Sequence, residues 1–415
     1  MSILRCGLAV LLAAVAVGTV CADWKQFGGP EVNFHVASKG LAQSWPASGP
    51  PVVWKRALGQ GYSGITIANG VLYTMFRKGS NEVVLAADAG TGKTLWEHEY
   101  AAPFGSGMQM ENGSGPHVTP LVTDQGVYTI GVLGKLLCLD TASGKVKWQI
   151  DLPAKFKMEL SNRGYAASPI AYRDMLFVRG GEGSTVIALR QTDGSVVWSR
   201  GDFGYSDATP VVGNVDGFDQ LVIFAADRIA ALNPLNGDEQ WWHQHTTRYD
   251  LNISAPVWGE DDIVFCSSAY GTGSRGVQVR RVGDRVESEE LWFNNQVRIH
   301  FTNAVRIGEY VYGTSGDFGP APLTAIHAKT GEIAWRDRTF SKANLLYADG
   351  KLILLDEDGA LGLATISPSG MKVLAKTNLA ATRHWTVPTL DGTRLYVRNE
   401  REMTALELGA AGQAR

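Results

Sequence analysis

Cysteine is scarce, with four in 415 residues. Cys6 and Cys21 stand near the N-terminus, and Cys138 and Cys266 lie far apart in the remainder. No two are adjacent and no Cys-x-x-Cys-His occurs, which excludes a vicinal disulfide and covalently attached haem. Cys138 and Cys266 fall in strand-like runs that are not neighbours, so both read as small buried apolar residues rather than a disulfide. Charge of one sign is missing too. The 38 Lys and Arg are interspersed with 41 Asp and Glu for a net charge of −3, and no basic run offers a footprint for nucleic acid. Beyond the N-terminus no apolar run is long enough to cross a bilayer as a helix. No segment keeps a helical period between capping residues, which argues against a bundle.

One apolar run does stand out. Leu8 to Val17 follows Arg5 and precedes Val20-Cys21-Ala22. A short apolar core between a positive start and small residues is the pattern of an export signal. Residues 1–22 are therefore expected to be a signal peptide, with Asp23 the first mature residue. The competing reading is lipidation at Cys21, which would anchor the protein to a membrane, although Val20 is larger than the residue that normally precedes a lipidated Cys. The expected location is the periplasm or the exterior.

What the chain has in abundance is glycine, 48 residues, and tryptophan, 12. A Gly followed four residues later by Trp occurs at Gly92/Trp96, Gly144/Trp148, Gly194/Trp198, Gly237/Trp241 and Gly331/Trp335. Four residues before each Gly stands Asp88, Asp140, Arg190, Asn233 or His327, and two before those a small residue, Ala86, Cys138, Ala188, Ala231 or Ala325. The units recur roughly every 40–50 residues, and a degraded copy ends at Trp292. Each unit reads as four short strands separated by Gly-containing turns, as in Ala167–Ile170, Met175–Val178, Thr185–Ala188 and Val196–Trp198. Four-stranded units of this length are propeller blades.

The ends fix the count. Trp-type strands end at Trp54, Trp96, Trp148, Trp198, Trp241, Trp292 and Trp335, and a weaker one runs through Val373. Thr386 to Leu408 supplies three strands without a fourth, and Val52 to Lys55 is a strand without a blade. Pairing the two ends closes the ring and removes its open edges. The expectation is an all-β, eight-bladed β-propeller over residues 52–408, with seven blades as the alternative. An N-terminal extension (23–51) and a C-terminal tail (409–415) flank it.

The Ala-x-Asp-x-x-x-Gly-x-x-x-Trp pattern of Ala86 to Trp96 resembles the tryptophan docking motif of quinoprotein-type (PQQ-binding-like) β-propellers. The resemblance covers nearly the whole mature chain. It implies that each Trp is a structural staple between blades and that each Gly forms the turn on which it packs. The chain is similar to exported members of that family, and more distantly to the propeller lipoprotein of the outer-membrane assembly machinery. The family also contains dehydrogenases of alcohols or sugars that use pyrroloquinoline quinone (PQQ) with calcium. Those enzymes are longer, and several carry the vicinal disulfide that is missing here. The resemblance thus implies a binding or scaffold module without catalysis, with a PQQ-dependent dehydrogenase and an outer-membrane assembly factor as alternatives. Fold alone does not choose among them. No cofactor is assigned, and the expected partner is a protein or a glycan.

Several motifs imitate chemistry. Gly90-Thr91-Gly92-Lys93-Thr94 ends like a phosphate loop, but a strand and not a helix follows. Gly271 to Gly276 spells Gly-x-Gly-x-x-Gly, yet another strand continues it, so it reads as a hairpin loop. Asn214, Asp216 and Asp219 around Gly217, and Asp356 to Asp358 before Gly359, lack the ligand spacing of a calcium hand and read as turns. His243 and His245 share one face of a strand, which reads as a solvated strand end before a metal pair.

Candidate ligand-binding residues come from the blade period. Innermost strands begin after Pro120, Pro169, Pro210, Pro256 and Pro388 or their equivalents, and strand starts meet at one mouth of the central channel. Just upstream stand Tyr62, His117, Tyr165, Asp207, Asn252, His300, Lys342, His384 and Trp385. They are expected to form a polar and aromatic ring there, a default ligand site.

Overall fold

In the computed structural model, described for residues 23–105, 107–109, 113–379 and 382–410, eight antiparallel sheets stand around a central channel. Residues 1–22, including Cys21, and 411–415 of the tail lie outside the described residues. Blades I to VI follow in chain order. They start at Thr66–Ala68, Leu121–Thr123, Ile170–Tyr172, Val211–Val215, Val257–Trp258 and Ala304–Ile307. Blade VII runs from Asn344–Ala348 to Gly370–Asn378. Blade VIII joins the two ends of the chain: Val52–Ala57 pairs antiparallel with Glu402–Glu407, with Trp54 opposite Ala405. The expected closure and the count of eight are both found.

The sequence pattern differs across a blade because burial differs. The second and third strands are covered by neighbouring blades on both faces and read as apolar runs, such as Leu352 to Leu355, all buried. The outermost strands alternate, as in Val146–Asp151, where every second residue is exposed. Every outermost strand also carries a bulge beside the Trp position, and that of blade VI has a second register shift at Pro322/Leu323. In blade I the register skips Leu95, so that Trp96 faces Ala86 and Thr94 faces Ala87. The extra residue re-aims the strand so that the indole leans toward the next blade.

The small residue of the repeat is small because it is the cross-strand partner of the Trp. Cys138 faces Trp148, Ala188 faces Trp198 and Ala231 faces Trp241. In blade V the position is Gly276, opposite Trp292, where a Cβ would meet Trp292 Nε1 at 2.5 Å. Gly273 to Gly276 is strand rather than hairpin loop, which corrects the sequence reading. Blade VII reverses the sizes: Ala375 holds the Trp position, opposite Leu363. Val373, expected to mark that strand's staple position, faces Ala364 instead.

Each indole then docks on the turn of the following blade. A Cβ on Gly92, Gly144, Gly194, Gly237 or Gly331 would lie 2.4–2.8 Å from Trp54, Trp96, Trp148, Trp198 or Trp292, and all five glycines have φ between 68° and 76°. Trp54, Trp96 and Trp292 donate from Nε1 to the carbonyls of Ala89, Thr141 and Ala328, and Trp335 donates to Ser367. Trp241 is the exception and donates to Gln220 of its own blade. Trp96, Trp198 and Trp241 are buried, whereas Trp54, Trp148, Trp292 and Trp335 are only partly so, because the outermost strand leaves one indole edge in water.

The N-terminal segment belongs to the ring's core. Trp24 bridges to Ile67 on the innermost strand of blade I, Val122 of blade II donates to Lys25 O at 2.8 Å, and His35–Val36 adds a parallel strand inside Tyr347–Ala348 of blade VII. Trp24, Phe34, Val36 and Leu41 are buried with the apolar side chains of blades VI to VIII. These contacts fall near the ends of the innermost strands, so the segment closes the channel opposite the strand starts.

Candidate functional site

The strand starts surround a cavity of about 520 Å³. Phe27, from the N-terminal segment, is among its lining residues and forms its floor, so the cavity is blind. A circuit of buried Ser, Thr and Asn side chains braces its wall from blade to blade. Ser63 Oγ donates to Val118 O, Thr119 N to Ser168 Oγ, and Ser168 N to Thr209 Oγ1. Asn252 N donates to Ser206 Oγ, Ser254 Oγ to Thr302 O, and Asn303 Nδ2 to Leu345 O. Asn344 Nδ2 donates to Trp385 O and Thr386 Oγ1 to Tyr62 O, which completes the ring. Polar residues beside the strand-start prolines thus hold the blades together.

Of the nine candidates from the sequence, Tyr62, His117, Asp207, His300, Lys342 and Trp385 line this cavity. Tyr165, Asn252 and His384 do not. Tyr165 is fully buried behind the wall, its hydroxyl donating to Arg179 O. Asn252 is fully buried and donates from Nδ2 to Ala225 O at 2.6 Å and His245 O at 3.2 Å. His384 Nδ1 lies 2.6 Å from Thr382 O, and the residue borders a smaller cleft beside Asn378 and Arg398. Asn252 is taken up by the buried polar circuit, Tyr165 by the Arg179 carbonyl of its own blade, and His384 by the loop at Thr382.

Loops outside the blade period supply the rest of the lining. Tyr270, Asp317 and Phe318 come from loops between second and third strands, Phe301 from a strand start, and Arg163 from the loop entering blade III. For Arg163, Tyr270, Asp317 and Phe318 the only sequence signal was an aromatic or charged residue beside Gly in a loop, and Phe301 had none. Together they form an arc of ring contacts around the mouth. Tyr249 meets Tyr270 at 4.9 Å, Tyr270 meets His300 at 4.9 Å, and His300 meets Phe301 at 5.3 Å. Phe301 meets Trp385 at 5.1 Å, Trp385 meets Tyr62 at 5.1 Å, and Tyr62 stacks on His117 at 6.0 Å. Phe318, 81% exposed, packs against Tyr270.

Polar partners fix this arc. The Trp385 indole donates to Glu357 Oε2, whose other oxygen pairs with Lys342 at 3.0 Å. His300 Nε2 and Tyr270 Oη are 2.9 Å apart, and Tyr62 donates to Glu400. Burial pushes His117 down to about 4, with the Arg163 charge adding to the effect. Burial likewise pushes His300 down to about 4, against the attraction of Asp317. Both imidazoles are therefore neutral at pH 7. Burial raises Asp207 to about 6, although Tyr205, Arg179 and Arg163 oppose the shift.

The motifs that imitate chemistry resolve into structure. Asp88 accepts from Thr91 N and so closes the Gly90–Gly92 turn. Asn214 donates to Asp219 across a hairpin, and Asp356 accepts from the amides of Asp358 and Ala360. His243 and His245 bond to Ser288 and Ser268, and His245 is buried, which corrects the reading of a solvated strand end. Among the described residues, no three His, Cys, Asp or Glu side chains gather where they could hold a metal ion together. Calcium asks for six to eight oxygens. The cavity offers the carboxylates of Asp207 and Asp317, and Asp317 already pairs with Arg298 at 3.3 Å. This donor set does not fit a calcium–quinone centre.

Fold and cavity define an eight-bladed propeller whose channel is a blind, aromatic-rimmed pocket. A family model described as outer membrane protein assembly factor BamB matches residues 80–337, and the chain belongs to that family. It is 24% identical over 299 residues to outer membrane protein assembly factor BamB of Yersinia pestis, covering 68% of this chain and 71% of that protein. It is 31% identical over 143 residues to quinoprotein alcohol dehydrogenase PedH of Pseudomonas putida, a match that spans only 23% of that protein and 32% of this chain. Among solved structures, BamB from Moraxella catarrhalis superposes with a TM-score of 0.59 at 17% identity, over 86% of this chain and 99% of the other. Quinohemoprotein alcohol dehydrogenase from Comamonas testosteroni superposes with a TM-score of 0.66 at 14% identity, over 95% and 81%. At such identities the likeness is one of fold.

Proposed function

We propose that this protein is an exported, non-catalytic binding propeller whose blind cavity holds a ligand with flat rings, either a glycan or a small molecule. The arc from Tyr270 to His117 carries this reading, because it lines a concave pocket with ring faces. The test is titration of the mature protein with neutral oligosaccharides, acidic oligosaccharides and PQQ, followed by tryptophan fluorescence and calorimetry. Saturable binding that Trp385→Ala weakens at least about tenfold supports the proposal. Turnover of an alcohol in the presence of PQQ and calcium, or no binding by any probe, overturns it.

The family match favours a second reading, in which the propeller is a scaffold for proteins assembling in the outer membrane. Deleting the gene and measuring the abundance of outer-membrane β-barrels tests that role, and unchanged amounts would reject it. Both readings place the protein in the periplasm, either free after cleavage at Ala22 or anchored through Cys21. The intact mass of the purified protein, beginning at Asp23 or at a lipidated Cys21, distinguishes the two.

A further inference from the structure

The two histidines that line the cavity are held differently. His300 spends Nε2 on Tyr270 Oη at 2.9 Å. His117 lines the cavity and is only partly covered, yet neither of its ring nitrogens has a hydrogen-bond partner among the described residues. Packing fixes it instead. Its ring stacks on Tyr62 with centroids 6.0 Å apart and planes 9° from parallel. Tyr62 in turn donates to Glu400, which pairs with Arg383 at 4.0 Å, and Arg383 lies 4.3 Å over the Trp385 indole. The backbone on both sides of His117 is pinned to neighbouring blades. Pro116 O accepts from Tyr62 N at 2.9 Å, and Val118 O accepts from Ser63 Oγ at 2.7 Å. Thr119 N donates to Ser168 Oγ at 3.0 Å.

Both observations point to an occupant. Polar side-chain atoms inside a fold are normally paired with other protein groups, and here the pairing is left to whatever enters the cavity. A side chain held rigidly by its neighbours, with its polar atoms unspent, is what a preorganised contact requires. A neutral imidazole carries one N–H and one lone pair, so it can donate to a ligand or accept from it. We infer that His117 is a ligand-contacting residue that sets specificity in the cavity, hydrogen-bonding a polar group at the edge of the ring that the aromatic arc receives. The ligand is then a ring bearing a hydroxyl, amide or ring nitrogen at its edge, and the arc alone would hold a ring without one less tightly. This rests on the ring-binding reading above and names the side chain that grips the ligand's polar edge.

The experiment uses the full mature chain, with chitotetraose, trigalacturonate and PQQ as probes. Each is titrated by calorimetry into wild type, His117→Phe, His117→Gln and Trp385→Ala. Phe keeps a ring beside Tyr62 and removes both nitrogens, whereas Gln keeps a hydrogen-bonding group, and thermal melts show whether each variant keeps its fold. The expected result is that a probe bound by wild type binds about three- to tenfold more weakly to His117→Phe and regains part of that loss with His117→Gln. A second readout needs no variant. Diethyl pyrocarbonate acylates neutral, accessible imidazoles, so it should modify His117 of the wild type ahead of His300, as mapped by peptide mass, and the bound probe should protect His117. Equal affinity of His117→Phe and wild type, for a probe that Trp385→Ala binds less tightly, would overturn this inference and leave the ring-binding reading standing. So would a His117 that stays unmodified, or that reacts as fast with the probe bound as without it. No binding by any probe overturns the ring-binding reading and this inference with it.

Discussion

Single residues show how the repeat does mechanical work. Gly144 needs both of glycine's properties, a φ of 68° and no Cβ where Trp96 lies 2.5 Å away. Gly79 needs only the first, since a Cβ there would meet nothing within 4 Å. Gly79→Ala is therefore expected to cost about 1–2 kcal/mol from the left-handed backbone alone. Gly144→Ala should cost about 1–3 kcal/mol more by overpacking the indole. Equal denaturant midpoints for the two variants would show that the docking contact contributes nothing. Trp96→Ala should cost about 3–5 kcal/mol as a buried aromatic truncation, and Trp335→Ala, whose indole is half in water, should cost less.

The cavity's titrating residues give a pH signature. His117 and His300 have folded pKa values near 4, below an unfolded value near 6.5. As pH falls from 6.5 to 4 the unfolded chain takes protons that the fold refuses, so stability falls across that window. Asp207 runs the other way. Its folded pKa of about 6 exceeds the unfolded value, so its protonated form favours folding at low pH, and that contribution is lost as pH rises from about 4 through 6. Asp207→Asn should therefore raise Tm at pH 7 and leave it unchanged near pH 4, while His117→Gln should flatten the acid decline. Melting curves from pH 4 to 8 check both signs.

At the scale of elements, the outermost strand with its bulge is the repeating joint. Where the indole is missing, in blade VII, a segment from outside the repeat packs on the same apolar cluster. Gly49 approaches Thr377 on that blade's outermost strand, and Trp45 packs on the apolar cluster of blades VI to VIII. Trp45 should therefore behave as a staple recruited from outside the repeat, and Trp45→Ala should destabilise although no blade pattern contains it. The terminal strand Glu402–Glu407 is the middle partner of both Val52–Ala57 and Arg394–Arg398. Ending the chain at Arg401 would strand Val52–Ala57 and open the ring. Size-exclusion chromatography should then show aggregate, because two unpaired edges are exposed at once.

For the whole molecule, closure couples distant parts of the chain. The N-terminal segment touches the innermost strands of blades I, II and VII, and Leu41 bridges to Gly409 beyond the last strand. Removing residues 23–42 should lower Tm and open the cavity floor at Phe27, so that the oligosaccharide that binds the intact protein loses affinity without any change to Asp207 or Trp385. Retained affinity would show that the floor is not part of the site.

The chain by itself determined the blade. Strand composition, Gly turns and the Trp period are local, and each is repeated often enough to be read from any one copy. Even the eighth blade was legible, because each end lacked what the other had. Gly276 and Ala375 were not legible as the small and Trp positions of degraded repeats, since register across a bulge is a pairing property. Tyr62, His117, Asp207, His300, Lys342 and Trp385 could be placed at the mouth because strand starts converge in any propeller. Whether Asn252 or Tyr165 faced the channel or the wall depended on one residue of register and on neighbours from other blades. Tyr270, Asp317, Phe318 and Phe27 reached the cavity through loops and a terminus that follow no period. Only the tertiary structure decided them, because a blind pocket forms where segments far apart in sequence exclude water together, and no local pattern encodes that meeting.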